Sequence, residues 1–231
     1  MLLRKSLSLL PERKIIFMSR YIEKAEKSRL PAVVLRGMIA FPSIPVSFEL
    51  SDEETADACL EAERGNGLIF IVSKKDLSAE EIAVDNLYTV GTAAKIKQTV
   101  KLPEGNLKVF ATGYCRASVE EYVFEDGKLY AELICKTLRL EDDGGVKGEA
   151  LVSEMRNTFD SFSSFLPKVS NELVTAVRAI QNPGLLADFI ACNVLMNYVD
   201  KQLVLEEFDP LRRAELVSVL MERESEVLRT E

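Results

Sequence analysis

The amino-acid sequence predicts an α+β fold in which a β-rich first part is followed by a helical second part. Residues 30–140 carry apolar runs typical of strands, together with two hairpin signals. An acidic, glycine-containing break follows at 141–145, and beyond it apolar residues recur at helical spacing. With 231 residues, the chain fits one large domain or two small ones and is long enough to bury a sizeable core.

The β-rich part is expected to begin at Leu30, because residues 20–29 are highly charged and favour a short exposed helix or coil. Residues 33–35 are apolar and mostly β-branched, which predicts a strand. Pro42 and Pro45 lack amide donors, so the segment around them is expected to turn or to lie at a sheet edge.

One helix is predicted inside this part. Ser51 and Glu54 have the spacing of a capping box, and Gly65 is expected to end the helix in a left-handed conformation. Residues 68–72 are continuously apolar and predict a strand that is buried on both faces. Residues 76–86 show no clear period and are expected to form a loop.

Two hairpins complete the β-rich part. An alternating strand is expected to place Ile96, Val100 and Leu102 on one face, and a turn is predicted at 103–106 before the return strand. The second hairpin is predicted around the dipeptide Asp126-Gly127, because a type I′ turn needs positive φ at both central residues.

The second part is predicted to be a series of helices. The apolar stripe of the first helix consists of Leu151, Met155, Phe159, Phe162 and Leu166. Further helices are expected to be capped by Ser170, to start at Asn182-Pro183, and to cover residues 200–206 and about 211–229. The last helix has no stop signal, which favours either a chain cut before a following module or a helix that frays at its end.

Composition excludes several classes of function. Histidine is absent, which excludes Ser-His-Asp and Cys-His catalysis and every metal site that needs an imidazole. The cysteines have no CxxC spacing, so we expect neither a zinc ribbon nor a redox pair but reduced, mostly buried thiols of a cytoplasmic protein. A net charge of −8 disfavours nucleic acid as a partner. No run of about 18 apolar residues predicts a membrane span.

No catalytic residue, cofactor site or metal site is predicted. The sequence has no Walker A loop, and the glycine-rich residues 144–148 lack the flanking strand and helix of a nucleotide site. A Ser-Lys dyad needs no histidine, but Lys95, Lys97 and Lys101 alternate with the core face and are expected to be solvated rather than activated. The acidic residues 52–54 are explained by a helix start.

The candidate binding residues are Met38, Ile39, Phe41 and Ile44. They lie beside the proline-limited turn, where some of them are expected to face outward. Exposed apolar groups next to a sheet edge can bind an extended peptide through backbone pairing. The alternative is that all four side chains plug one end of the β structure.

Residues 1–29 are predicted to form an N-terminal extension. Charged residues interrupt the leucines of residues 1–16, so this segment lacks the core of a signal peptide. A disordered extension, a transit peptide and translation from Met18 instead of Met1 are the alternatives, and the intact mass of the natural protein distinguishes them.

Several ordered motifs resemble the N-terminal domain of the Lon ATP-dependent serine protease family. The matching segments are the opening motif from Leu30 to Pro45, the VGT.A.I strand at 88–96, the LPDGTLKV hairpin at 102–109, the G..R pair of Gly113 and Arg116, and the helical segments 187–191 and 200–206. These motifs cover nearly everything from Leu30 onward. Gly37 stands where the family often has aspartate, and Ser43 where it often has glycine.

The resemblance implies a PUA-like β pseudo-barrel at 30–140, followed by an α-helical bundle at 146–231 that leads toward an ATPase module. It implies a non-catalytic role: recognising unfolded or degron-bearing proteins and assembling within a hexamer, without a membrane partner. Activity as an ATP-dependent serine endopeptidase would require the ATPase and Ser-Lys protease modules of the full-length family. The alternatives are a stand-alone adaptor without ATPase, an RNA-binding PUA-like module and an independent enzyme.

Overall fold

The structure is a computed structural model that describes residues 21–79, 81–166 and 168–230. Within these ranges, the strands are β1 (Tyr21–Leu35), β2 (Pro45–Leu50), β3 (Leu68–Ser73), β4 (Val90–Lys101), β5 (Leu107–Glu125) and β6 (Lys128–Leu140). The helices are α1 (Glu53–Arg64), α2 (Gly145–Ser163), α3 (Asn171–Ala179), α4 (Pro183–Asn193), α5 (Tyr198–Glu206) and α6 (Pro210–Thr230). The predicted α+β order, with a β-rich part before a helical part, is confirmed.

The strands form one sheet that closes into a barrel. Its order is β2-β5-β4-β3-β1-β6, and β5 pairs with β6 as well. Strand β1 runs parallel to β3, whereas the other pairings are antiparallel. The long strand β5 pairs with β2 through its first half and with β6 through its second half, so β2 is an appendage at the edge of the barrel.

Strand β1 includes Tyr21 and the residues after it, which corrects the prediction of a helix or coil over 21–29, the described part of residues 20–29. Tyr21 pairs with Leu140 and the ladder continues to Pro31, so residues 21–29 belong to the sheet and not to an extension. Their charges favoured a solvated helix, but pairing with a strand more than 100 residues away overrides that local preference. Residues 1–20 of the predicted extension lie outside the described residues.

Helix α1 is capped differently from the prediction. Asp52, not Ser51, is the N-cap, and its Oδ2 accepts a hydrogen bond of 2.8 Å from the amide of Thr55. Gly65 has φ −93° and is not left-handed, whereas Gly67 has φ +67°. Gly65 thus ends the helix as predicted, but the left-handed conformation belongs to Gly67.

The predicted turn of the second hairpin is confirmed, whereas the predicted buried face of the first hairpin is wrong at Val100. Asp126 and Gly127 have φ values of 49° and 80°, as a type I′ turn requires. Val100 is 37% exposed instead of sharing the buried face of Ile96. A β-bulge between Ile96 and Gln98 shifts the register, and a shift of one residue moves the following side chains to the opposite face.

The helices pack into a core of their own. Phe159 and Phe162 on α2 are fully buried, as the predicted stripe of this helix requires, and they share this core with the buried Leu186 and Ile190 on α4. Ser170 caps α3, and Asn182 caps α4 with Pro183 at the first turn, both as predicted. None of the helices in the described part of the chain combines the length and hydropathy that a bilayer-crossing segment requires.

The predicted loop at 141–145 is a compact left-handed turn. Asp142, Asp143, Gly144 and Gly145 all have positive φ, between 47° and 83°. The turn brings the Asp143 carbonyl so close to α2 that a Cβ on Gly148 would lie 1.9 Å from its oxygen. The Asn182 Nδ2 atom donates to Asp143 Oδ1 at 2.6 Å, which ties the turn to the start of α4. The junction between barrel and helices is thus geometrically defined.

Candidate functional site

A groove of about 390 Å³ lies between the segment that connects β1 to β2 and the helices α4 and α5. Its lining residues are Gly37, Met38, Ile39, Ala40, Phe41, Ile44, Pro45, Val46, Ser47, Cys192 and Lys201. All four of the predicted binding residues line it. The groove therefore combines the barrel edge with the helical part.

Hydrogen bonds hold the backbone of the connecting segment in place. The Ser73 hydroxyl donates to the Met38 carbonyl at 2.5 Å. The buried Thr92 hydroxyl donates to the Ala40 carbonyl at 2.7 Å. The amide of Ser43 donates to the carbonyl of Gly113 at 2.9 Å. The backbone of this wall is therefore anchored to three strands of the barrel, β3, β4 and β5.

The segment touches the barrel so closely that glycine is needed opposite it. A Cβ on Gly113 would lie 2.1 Å from the Phe41 carbonyl oxygen. Gly37 and Ser43 have φ values of 71° and 64°, so both family departures fall in left-handed conformations. For Ser43 that conformation costs roughly 1–2 kcal/mol, which its amide hydrogen bond to the barrel helps to offset.

The four candidate side chains separate into two pairs. Met38 is 40% exposed and Ile44 is half-buried, so both can meet a ligand in the groove. Ile39 and Phe41 also line the groove, but they are 6% and 1% exposed and pack into the helical core, so their side chains offer little surface to a ligand. They anchor the connecting segment between barrel and helices, as the alternative interpretation expected of all four.

Strand β2 gives the groove a sheet edge. Within the described residues β2 has β5 as its strand partner on one side and no strand on the other. Pro45, Val46 and Ser47, at the start of β2, line the groove. An edge strand presents unpaired N–H and C=O groups that can pair with another extended chain.

The ionisable side chains of the groove do not suit catalysis. Lys201 donates from Nζ to the Cys192 carbonyl at 3.0 Å, at the C-terminal end of α4. Burial raises the pKa of the Cys192 thiol, so the thiol stays protonated and weakly nucleophilic. In the described ranges, no three Cys, Asp or Glu side chains converge as a metal site would require.

A buried ion cluster joins the barrel to the helices beside a second cavity of about 340 Å³. Arg116 on β5 forms a bidentate pair with Asp188 on α4, and its Nε atom donates to the Leu205 carbonyl at 3.0 Å. Arg213 on α6 places its Nε atom 3.1 Å from the same carboxylate, close enough for ion pairing but without hydrogen-bond geometry. All three side chains are at least 93% buried.

Two guanidinium groups share one carboxylate in this cluster. Burial, and then repulsion by Arg116, lowers the pKa of Arg213 to about 10. Arg116 and Asp188 lie in the motifs that resemble the family, but their sequence positions alone predicted no role for them. One signal was available in the sequence: Asp188 is a charged residue inside an otherwise apolar pattern, between Ala187 and Phe189. A charge at such a position indicates a buried ion pair.

Comparison with known proteins identifies the family. The model of the "ATP-dependent protease La (LON) substrate-binding domain" matches residues 29–223. A Lon protease of Brevibacillus choshinensis is 31% identical over 209 residues, which cover 90% of this chain and 27% of the relative. A Lon protease of Clostridioides difficile is 32% identical over 208 residues, with 87% and 26% covered. The chain thus spans about a quarter of the length of these relatives.

Solved structures of low sequence identity share the fold. The N-terminal domain of a Mycobacterium avium complex Lon protease superposes with a TM-score of 0.65 at 19% identity, covering 84% of this chain and 98% of that domain. A Lon N-terminal domain protein from Xanthomonas campestris gives 0.58 at 15% identity, with 81% and 95% covered. The predicted barrel followed by helices is confirmed, and the family match over residues 29–223 shows that this chain belongs to the Lon substrate-binding domain family.

Proposed function

We propose that this chain is the non-catalytic substrate-recognition and assembly region of a cytoplasmic Lon-type ATP-dependent protease, which holds unfolded or degron-bearing proteins. The observation that carries the proposal is the groove beside the free edge of β2, with Met38 and Ile44 on its wall. The family name, that of a substrate-binding domain, supports it. The groove would receive an extended segment of the client.

Recognition would combine two kinds of contact. The client backbone would pair with the outer edge of β2, which is independent of the client sequence. Apolar client side chains would pack against Met38, Ile44 and Val46, and each fully buried side chain contributes roughly 1.5–3 kcal/mol. Such a site favours unfolded chains, because folded proteins rarely expose extended apolar segments.

A single groove of this size is expected to bind weakly. A few buried side chains, after the cost of ordering the peptide, correspond to dissociation constants in the micromolar to millimolar range. Display of several copies on a ring would raise the effective affinity for a long client without any new contact. Self-association within a hexamer therefore fits this mode of recognition.

The test is the binding of a fluorescent, unfolded apolar peptide to Met38→Asp. We expect roughly 5–10-fold weaker binding, since about half of one apolar contact is lost and a charge enters the groove. Phe124→Asp is the matched control, because Phe124 is 54% exposed at the remote β5–β6 hairpin. Equal affinities for the two variants and the parent chain would remove the groove as the binding site.

The backbone component needs a separate peptide. A version with alternate backbone amides N-methylated keeps the side chains but cannot pair with β2, so we expect it to bind more weakly than the unmodified peptide. Phe41→Asp is unsuitable as a binding test, because a charge at a 1% exposed position would disrupt the core first.

A further inference from the structure

Two cysteines far apart in sequence meet inside the barrel. Cys115 on β5 and Cys135 on β6 belong to the same barrel-core cluster. Ala117 pairs with Cys135 across the two strands, so Cys115 and Cys135 are diagonal neighbours on the interior face. Each thiol shifts the pKa of the other, so the two side chains lie within interaction range. Sequence spacing excluded a CxxC pair, but the sheet register creates a dithiol.

The two thiols differ in access and in acidity. Cys115 is 3% exposed, whereas Cys135 is half-buried and lines a cavity of about 430 Å³ that Tyr114 and Lys95 also line. The interaction with Cys115 lowers the pKa of Cys135, and the same interaction together with burial raises the pKa of Cys115. Cys135 is thus the accessible nucleophile and Cys115 the thiol behind it.

We propose that Cys115 and Cys135 form a reversible dithiol–disulfide site that low-molecular-weight disulfides such as oxidised glutathione oxidise. The Cys135 thiolate attacks one sulfur of oxidised glutathione, a mixed disulfide forms and one glutathione thiolate leaves. Cys115 gives its proton to that thiolate and attacks the Cys135 sulfur; the second glutathione leaves as a thiolate and takes up from water the proton that Cys135 lost when it ionised. Two protein thiols become one disulfide, and one oxidised glutathione becomes two reduced ones.

The barrel geometry makes this bond reversible. Diagonal partners across a ladder have Cα atoms roughly 7–8 Å apart, whereas disulfides usually join Cα atoms about 4.4–6.8 Å apart. The strands must therefore approach each other for the bond to form, next to an irregular point of the sheet where Tyr114 is the bulged residue between the pairs Ala93–Cys115 and Ala94–Gly113. A disulfide formed under such constraint is readily reduced again.

The other two cysteines serve as internal controls. Cys59 is fully buried, and burial raises the pKa of its thiol to about 12. Cys192 is half-buried, and burial raises its pKa as well. Neither belongs to the barrel-core cluster that contains Cys115. They are expected to stay reduced under the same treatment.

The experiment incubates the native chain in glutathione buffers of increasing oxidised fraction, quenches it with iodoacetamide under denaturing conditions and maps the peptides by mass spectrometry. We expect a Cys115–Cys135 disulfide, an intact mass lower by two hydrogen atoms, and full alkylation of Cys59 and Cys192. Reduced glutathione should restore all four alkylated thiols. If all four thiols are alkylated at every ratio of oxidised to reduced glutathione, the proposal is wrong.

Two variants separate the roles of the thiols. Cys115→Ser should accumulate a stable glutathione adduct at Cys135, because the resolving thiol is gone. Cys135→Ser should give neither adduct nor disulfide, because Cys115 is buried. Circular dichroism verifies that both variants are folded. If Cys115 takes the adduct in Cys135→Ser, or if the parent chain stops at the Cys135 adduct, the proposed order of events is wrong.

Discussion

Replacing Asp188 by asparagine tests whether the buried ion cluster holds the barrel and the helices together. The substitution keeps the shape of the side chain and removes its charge. Arg116 and Arg213 would then lie side by side, both at least 93% buried, with no carboxylate between them. The expected effect is therefore that two buried positive charges lose the carboxylate that they share, which costs much more than the loss of one hydrogen bond.

The size of this effect follows from the burial of the cluster. Removing one partner of a buried ion pair costs about 3–5 kcal/mol. Domains of this size have unfolding free energies of about 5–15 kcal/mol, so the variant should lose a large fraction of its stability. A loss of 1 kcal/mol lowers the melting temperature by roughly 2–4 °C at this length, which predicts a decrease of about 6–20 °C.

Urea unfolding followed by circular dichroism at pH 7 measures the difference. Asp160→Asn is the matched control, because Asp160 pairs with Arg178 at 3.1 Å on the surface, where both side chains are at least half exposed. That variant should change stability by less than about 1 kcal/mol. If Asp188→Asn behaves like Asp160→Asn, the cluster does not join the two halves and the argument from burial fails.

Two further substitutions, each with a matched control, test local features. Asp52→Ala should cost about 1 kcal/mol at pH 7, whereas Ser51→Ala should be neutral, as measured by urea unfolding. Hydrogen bonding lowers the pKa of Asp52 below its usual 3.8, so its contribution is present above that pH and should vanish as the pH falls through the folded-state value. Gly113→Ala should cost about 3 kcal/mol or more, because its Cβ would strike the Phe41 carbonyl. Gly105→Ala, with φ 94° and open space around it, should cost only about 1–2 kcal/mol, and an equal loss in both would refute the close-approach argument.

Local chemistry was enough to predict the features that a few neighbouring residues decide. The turn at Asp126-Gly127 follows from the φ values that a two-residue hairpin requires. The caps of α3 and α4 follow from Ser170 and Asn182, whose side chains accept hydrogen bonds from backbone amides in the first turn of each helix. In each case the deciding interaction spans no more than three residues, so the sequence pattern contains it.

Long-range contacts decided the features that sequence reasoning missed. Residues 21–29 became a strand because β6 pairs with them, although their charges favoured helix or coil. Ile39 and Phe41 became core residues because the helices pack over them, although the prolines nearby suggested an exposed turn. The same applies to Cys115 and Cys135, whose proximity arises from the register of β5 against β6.

The composite origin of the groove explains why the sequence could indicate one wall and not the site. Met38, Ile44 and β2 come from the barrel, whereas Cys192 and Lys201 come from helices about 150 residues later in the chain. The width of the groove therefore depends on the position of the helices relative to the barrel. The ion pair of Arg116 with Asp188 and the core contacts of Phe41 hold the helices in that position. A barrel expressed without its helices would keep the edge of β2 but lose the opposite wall of the groove, so the proposed site requires both halves even though the sequence divides them at 141–145.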